Sequence, residues 1–502
     1  MLLRAAGHYN RPMKVAQLLS VFPQLRWGTA ATQEITGLTQ DSRQVQKGSV
    51  FVAIRGTSSD GHDFLAQAAQ QGACALIVED DSRIPADFTG SVVRVGSSRA
   101  ALDQLSARYL GNPAEQLFCV GVTGTNGKTT ITYMVEKILT HFGWPTGVMG
   151  TIDHHLGMHR WPSSLTTPDP LTLHRRLKEF VALGARATAF EVSSHALSQA
   201  RVSSLPFAVG IFSNFTRDHL DYHQTMDEYF AAKQVLFSEL LGQRRASAIA
   251  VLNGDDPWIR KVCLREGVTA WWYGMQDADF HFRVLKQDLE GTLFHLTTPR
   301  GNCEIHLPCP GLHNVYNAVA SAAAGLAAGA SLSTVSEALS GFYGAPGRLE
   351  KVSNDRGLHI FVDYAHTDDA LRSVLSTLRS MGNGGRILTV FGCGGDRDKG
   401  KRPLMTAAAA QYSDLLVLTS DNPRSEDPQA ILNDMQAGLP QAWRGDVHLE
   451  VDRRKAFAIA LQKAREGDVI LVAGKGHEDY QIVGQERLAF SDTRVLSELL
   501  KI

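Results

Sequence analysis

Gly124-Thr125-Asn126-Gly127-Lys128-Thr129-Thr130 follows an apolar run, Leu117-Phe118-Cys119-Val120-Gly121-Val122, and precedes a helical pattern, Ile131-Thr132-Tyr133-Met134-Val135-Glu136-Lys137-Ile138-Leu139. Strand, glycine loop and helix in that order form a phosphate cradle. The glycines let backbone N–H groups approach phosphate oxygens, the lysine adds a compact positive charge, and the following hydroxyl can hold Mg²⁺. The stretch therefore predicts an α/β domain that binds ATP. A longer loop pattern would need a further glycine where Val122 stands, so only the short form Gly-x-x-Gly-Lys-Thr-Thr fits.

A chain of 502 residues is long enough for about three domains, each with its own core. The net charge of −1 argues against a general binder of nucleic acid or membrane surfaces. No secretory signal is legible at the N-terminus, and the alanine-rich tract Ala318 to Ala330 is too short to span a bilayer, so a cytoplasmic protein is expected. Six scattered cysteines without a Cys-x-x-Cys pair agree with reduced, buried thiols. Met13 could be an alternative initiator, and the stretch before it reads as polar and mobile.

Two breaks, Gly111-Asn112-Pro113-Ala114-Glu115 and Gly341-Phe342-Tyr343-Gly344-Ala345-Pro346-Gly347-Arg348, divide the chain into segments 1–112, 113–342 and 343–502. In the last segment four apolar runs end in polar loops. Ile360-Phe361-Val362 enters Asp363-Tyr364-Ala365-His366, and Ile387 to Phe391 enters the loop from Gly392 to Arg397. Leu415 to Leu418 leads to Asp421-Asn422-Pro423-Arg424, and Val469 to Ala473 enters Gly474-Lys475-Gly476-His477-Glu478. Short apolar strands alternating with helical stretches predict a parallel, Rossmann-like α/β sheet with ligands beyond the strands' carboxyl ends. In the middle segment Glu191 and His219 are expected at strand tips, where a carboxylate and an imidazole can bind Mg²⁺ or order its water.

Together, Gly-Thr-Asn-Gly-Lys-Thr-Thr, Glu191-Val-Ser-Ser-His, Arg217-Asp-His-Leu-Asp-Tyr-His, Ala232-Lys233, Gly311-x-His-Asn314-x-x-Asn317, Gly347-Arg348, Asp363-Tyr-Ala-His and Asp421-Asn-Pro-Arg resemble the Mur ligases over nearly the whole chain. The resemblance implies three α/β domains: a uridine-nucleotide domain, a central P-loop ATPase domain with a mainly parallel sheet, and a C-terminal amino-acid-binding domain. It implies an ATP-dependent acid–amino-acid ligase of cytoplasmic peptidoglycan precursor synthesis, acting through an acyl phosphate. A monomer is expected.

The resemblance also assigns residues. Lys128, Glu191, His219, Lys233 and Arg348 would carry catalysis. Gly124, Thr125, Asn126, Gly127, Lys128, Thr129, Thr130, Asn314, Asn317, Arg348 and Asp363 would bind ATP. Thr129, Glu191, His219 and Lys233 would hold two Mg²⁺ ions. Lys233, read locally as a solvated helix lysine, would be N-carboxylated, because an oxygen ligand suits this hard ion and an ammonium repels it. Gln40, Ser42, Thr57, Ser58 and Ser59 would hold the uridine nucleotide, with Thr166, Thr167, Ser193, Gln199 and Arg201 on the muramoyl peptide; Leu165 departs from the asparagine of some relatives.

The amine would be meso-2,6-diaminopimelate, met by Arg397, Asp421, Asn422, Pro423, Arg424, Gly474 and Glu478. A planar guanidinium at Arg424 can pair bidentately with the substrate's distal carboxylate, which lysine lacks. A plain salt bridge from Arg424 to Glu426 or Asp427 is the alternative. Three other readings stay open: a sibling ligase adding L-lysine, a folylpolyglutamate synthase, and a non-catalytic nucleotide-binding protein.

Overall fold

The computed structural model describes residues 13–56, 59–382 and 384–501. Thr57, Ser58 and the stretch before Met13 lie outside the described residues. The chain divides into two compact units, Met1–Lys128 with Gly143–Trp271, and Thr129–Phe142 with Trp272–Ile502, and the division falls inside the glycine loop.

In the first unit, strands Gly37–Thr39, Ser49–Val52, Ala75–Val78 and Ser91–Arg94 pair in parallel in that order, with Leu25–Arg26 antiparallel at the outer edge. The middle strands are buried throughout because both faces are covered. Val50, Val52 and Ile77 pack with Leu102 and Leu105 of helix Ser98–Tyr109, whereas Phe51, Leu76 and Val78 pack with Leu65 and Ala68 of helix Leu65–Gln70. Strand alternation sends successive side chains to opposite cores, so the run must be apolar at every position.

The same unit holds the strand Phe118–Thr123 between parallel neighbours Ala187–Glu191 and Phe207–Phe212. Thr146–Met149 and Ile249–Asn253 flank these in parallel, and the antiparallel strands Asp153–Leu156 and His159–Pro162 extend the Thr146–Met149 side. Gly124, Glu191 and Ser213 therefore emerge from one end of three adjacent strands.

In the second unit the helix Leu312–Ala327 lies close to the helix that follows the glycine loop. A Cβ on Gly325 would sit 2.5 Å from Ile138, a contact only glycine allows. The alanine-rich tract is thus mostly helix interior, and no helix among the described residues is long and apolar enough to cross a membrane. The six-stranded sheet runs Glu350–Val352, His359–Asp363, Val469–Ala473, Ile387–Cys393, Leu415–Ser420, Asp446–Glu450 and is parallel except for its first pair. The four apolar runs read from the sequence are its four central strands, so their polar loops share one edge. All six cysteines are free. Burial pushes the Cys119, Cys309 and Cys393 thiols up to about 12.

Candidate active site

Two elements hold the glycine loop in shape. Gly124 takes φ +144°, and a Cβ there would lie 1.9 Å from Ser213 Oγ, so the loop passes too close to the neighbouring strand's end for any side chain. Ser213 Oγ donates to the Asn126 carbonyl at 2.6 Å, and Asn214 Nδ2 donates to the same oxygen at 3.0 Å. The Asn126 N–H returns a bond to Asn214 Oδ1 at 2.9 Å. The position of Ser213 and Asn214 at the end of the neighbouring strand is what makes them loop supports, and no motif in the sequence marks them. The Lys128 ammonium bonds the carbonyls of Gly124 and Thr125 at 2.9 and 2.8 Å.

Lys233 is the main correction to the local reading. Helix Met226–Val235, capped by Thr225, buries Tyr229, Phe230 and Lys233, and the i, i+4 spacing stacks Tyr229 and Lys233 on one face. Lys233 is 1% exposed, its ammonium donates to the Gly124 carbonyl at 2.8 Å and lies 4.6 Å from the Tyr229 ring centre. Burial, then the charge of Lys128, holds its pKa well below the ordinary lysine range. Tyr229 itself reaches Thr125 Oγ1 of the loop at 3.3 Å. An apolar, aromatic helix face carrying one lysine was the available signal, since a solvated lysine has no need of Tyr229 and Phe230 beside it.

Glu191 ends its strand as expected. Its two carboxylate oxygens accept from Thr151, Oε1 from the backbone N–H at 2.8 Å and Oε2 from the hydroxyl at 3.0 Å. Gly150 permits the approach, because a Cβ there would sit 2.2 Å from Oε1. His219 differs from expectation: it lies beyond a strand tip, in left-handed conformation (φ +52°) at the start of the short helix Leu220–His223. It sits among rings, 5.2 Å from His195 and 5.8 Å from Tyr229. Burial lowers the pKa of His195 and His219 and takes His223 to about 4, which keeps imidazoles neutral and able to ligate. Thr151, His195 and His223 were not read as site residues.

The residues expected on the muramoyl peptide form one network around Glu191. Thr166 Oγ1 is 3.1 Å from Thr151 Oγ1, Thr167 Oγ1 donates to the Glu191 carbonyl at 2.7 Å, and the Ser193 N–H donates to Thr167 Oγ1 at 3.0 Å. Arg201 bonds the Thr167 carbonyl at 2.8 Å and Gln199 at 2.6 Å. Leu165 is 46% exposed beside them. In the N-terminal sheet Gln40 and Ser42 follow the strand Gly37–Thr39 around the capping carboxylate of Asp41, and Ser59 lies beyond the parallel strand Ser49–Val52 at the same sheet end.

In the second unit Thr129 and Thr130 are buried at the start of their helix. Asn314 and Asn317, buried on one helix face, bond to the Pro310 carbonyl and to each other, and neither caps the helix, which begins after Gly311. Asp363 accepts the Leu349 and Ala365 N–H groups at 2.8 Å each. Burial raises its pKa against the opposing charge of Arg348. The Arg348 guanidinium lies 5.1 Å from the Tyr364 ring centre, and its Nε is buried without a hydrogen-bond partner among the described residues, a donor suited to an anion.

The loops expected to meet the amino acid converge. Arg424, at φ +51°, donates from its guanidinium to the Gly395 carbonyl at 2.7 Å, next to the exposed Arg397. Glu426 is engaged elsewhere: fully buried Arg402 grips both its oxygens at 2.9 and 3.1 Å, and Lys399 lies 3.2 Å away. The salt-bridge alternative for Arg424 is therefore not what the loops adopt. Asn422 Nδ2 donates to Glu478 Oε2 at 3.0 Å, and Asn422 Oδ1 accepts the Ile482 N–H at 2.9 Å. Gly474, at φ +106°, lets Asp421 lie against the backbone, since a Cβ would be 3.2 Å from Asp421 Oδ2.

A glycine loop at the end of a parallel strand in one unit, and polar loops at the carboxyl ends of parallel strands in the other, define an α/β nucleotide-binding protein, and comparison with known proteins gives its class. Family models match in three places: the Mur ligase family catalytic domain over residues 34–110, the Mur ligase middle domain over 122–325, and the Mur ligase glutamate ligase domain over 347–476. The chain belongs to the Mur ligase family. It is similar to the UDP-N-acetylmuramoyl-L-alanyl-D-glutamate–2,6-diaminopimelate ligases of Geobacter sulfurreducens and Geobacillus thermodenitrificans. Each is 42% identical; the matches cover 96% and 97% of this chain and 97% and 99% of the relatives. A solved structure of an enzyme of that description superposes with TM-score 0.74 at 32% identity, over 98% of this chain and 99% of the other.

Proposed function

We propose that this ligase joins meso-2,6-diaminopimelate to UDP-N-acetylmuramoyl-L-alanyl-D-glutamate at the expense of ATP, as a cytoplasmic monomer in peptidoglycan precursor synthesis. The γ-carboxylate of the D-glutamate attacks the γ-phosphorus of ATP and ADP leaves, giving an acyl phosphate. The amine of diaminopimelate then attacks the acyl carbon, and the tetrahedral intermediate loses a proton and expels phosphate to leave an amide. Charge neutralisation and alignment supply most of the catalysis.

Domains 1–112, 113–342 and 343–502 divide the work between uridine nucleotide, ATP and amino acid. Lys128 takes the β- and γ-phosphates. Asn314, Asn317 and Asp363 take the adenosine, and the unpartnered Arg348 Nε takes a phosphate oxygen. Gln40, Ser42 and Ser59 hold the uridine nucleotide with Thr57 and Ser58. Thr166, Thr167, Ser193, Gln199 and Arg201 place the peptide next to Glu191.

Among the described residues no three His, Cys, Asp or Glu side chains cluster as a metal site. The donors Thr129, Glu191, His219 and Lys233 suit Mg²⁺ only when Lys233 carries a carboxylate. Its buried amine fits that change: the neutral nitrogen adds to CO₂, the N–C bond forms, and a proton leaves for solvent. When bound, Mg²⁺ would neutralise the phosphate charge that develops in the transition state.

The observation that carries the choice of amine is Arg424, held by Gly395 and left unpaired by Glu426. An arginine facing L-lysine would stay unpaired at a cost of about 1–3 kcal/mol. Phosphate release is to be measured with ATP and the UDP-muramoyl dipeptide, with diaminopimelate and L-lysine in parallel. Release is expected with diaminopimelate alone. Equal rates with both amines would sink the specificity, and release without any amine would sink the ligase reading.

A further inference from the structure

Lys475 has a completely buried side chain in the loop after strand Val469–Ala473. Its ammonium donates to Glu478 Oε2 at 3.0 Å, approaches Asn422 Oδ1 at 3.4 Å and Asp421 Oδ1 at 3.6 Å, and lies 5.3 Å from the Tyr480 ring centre. Asn422 donates to the same Glu478 oxygen. Among the described residues both side-chain bonds to the Glu478 carboxylate thus fall on Oε2, which leaves Oε1 for a ligand. Asp421 Oδ1 is buried with no hydrogen-bond partner other than this ion pair.

An isolated buried ammonium is costly, so a lysine kept here must be compensated, and Asp421 and Glu478 do so. The converse holds equally: one cation shared by two carboxylates leaves a corner of net charge −1. We propose that Lys475 is a positioning residue that sets the charge of this corner and turns Glu478 Oε1 outward, and that it thereby helps choose the amine. This rests on the reading that these loops hold the amino-acid substrate. The distal end of diaminopimelate carries one ammonium and one carboxylate. A corner of −1 beside the Arg424 guanidinium matches that pair, whereas a corner of −2 would repel the carboxylate and favour an amine that has none.

The test is steady-state ligation by the full-length enzyme with diaminopimelate and with L-lysine, for wild type, Lys475→Met and Lys475→Met/Asp421→Asn, with circular dichroism on each. Lys475→Met is expected to raise the KM for diaminopimelate at least tenfold, to leave the KM for ATP within twofold, and to lower the diaminopimelate-to-lysine ratio of kcat/KM at least tenfold. The double variant returns the corner to −1 and should recover part of that ratio. An unchanged ratio in Lys475→Met, or a double variant no better than the single, overturns the proposal. Loss of fold in both variants would make Lys475 a core buckle and overturn it as well. A wild type that does not ligate diaminopimelate is a different failure, that of the proposed reaction, and appears before any variant is made.

Discussion

Replacing Asp492 by alanine should cost about 3–5 kcal/mol of folding free energy, because it strands a buried guanidinium. Arg453 and Asp492 have no exposed side-chain surface and pair bidentately at 2.8 and 2.6 Å. The guanidinium also donates to the carbonyls of Ser420 at 3.2 Å and Ala473 at 3.0 Å, the last residues of two sheet strands. Without Asp492 those dipoles, the Phe457 ring and the charges of Asp421 and Glu478 are left to offset a full charge, none of them an ion pair to the guanidinium. The loss would be a large part of the roughly 5–15 kcal/mol that a folded protein holds. Urea denaturation followed by circular dichroism is the assay; at a slope of roughly 2 kcal/mol per M the midpoint should fall by about 2 M with the slope unchanged. Arg453→Met/Asp492→Leu removes both charges and should regain most of the loss. Asp421 and Gly474 follow the two tethered carbonyls directly, so Asp492→Ala should also raise the KM for the amine more than that for ATP. A loss below about 1 kcal/mol, or a double variant as unstable as the single, would refute the reasoning.

Lys233→Ala should abolish turnover, with partial rescue by a short carboxylic acid that fills the vacated space; full activity in the variant would remove the carboxylated lysine from the reaction. Arg424→Lys should raise the KM for diaminopimelate by about 10–100-fold with little change in the KM for ATP, because an ammonium cannot reproduce bidentate pairing. Glu426 has its pKa lowered from 4.5 to about 2, chiefly by hydrogen bonds from Arg402. Its folded pKa lies below the unfolded one, so its contribution to stability is full above pH 4.5 and is lost as the pH falls toward 2. Acid titrations of wild type and Glu426→Gln should therefore diverge in that window, the variant having the shallower curve.

The central strands of the last sheet were legible because a strand buried on both faces is apolar along most of its length, as in Leu415 to Leu418 and Val469–Ala473. The glycine loop was legible because its chemistry is local: two glycines, a lysine and a hydroxyl act within a few residues of one another. Lys233 was legible only as a family position. Its burial depends on Tyr229 and on Gly124, which is 109 residues away. Thr151 and Ser213 have short polar contacts set by which strands lie side by side, as is the approach of Lys475 to Asp421 and Asn422; no spacing along the chain encodes those. The sequence alone established the α/β class, the phosphate cradle and the loops that bear the chemistry. Tertiary structure decided which oxygen of Glu478 is taken, that Glu426 turns to Arg402 and leaves Arg424 free of it, and that two fully buried cations, Arg453 and Lys475, brace the strand ends. Hydrogen bonds and ion pairs act over a few ångströms, and only the folded chain brings residues 421, 453, 475 and 492 within that distance.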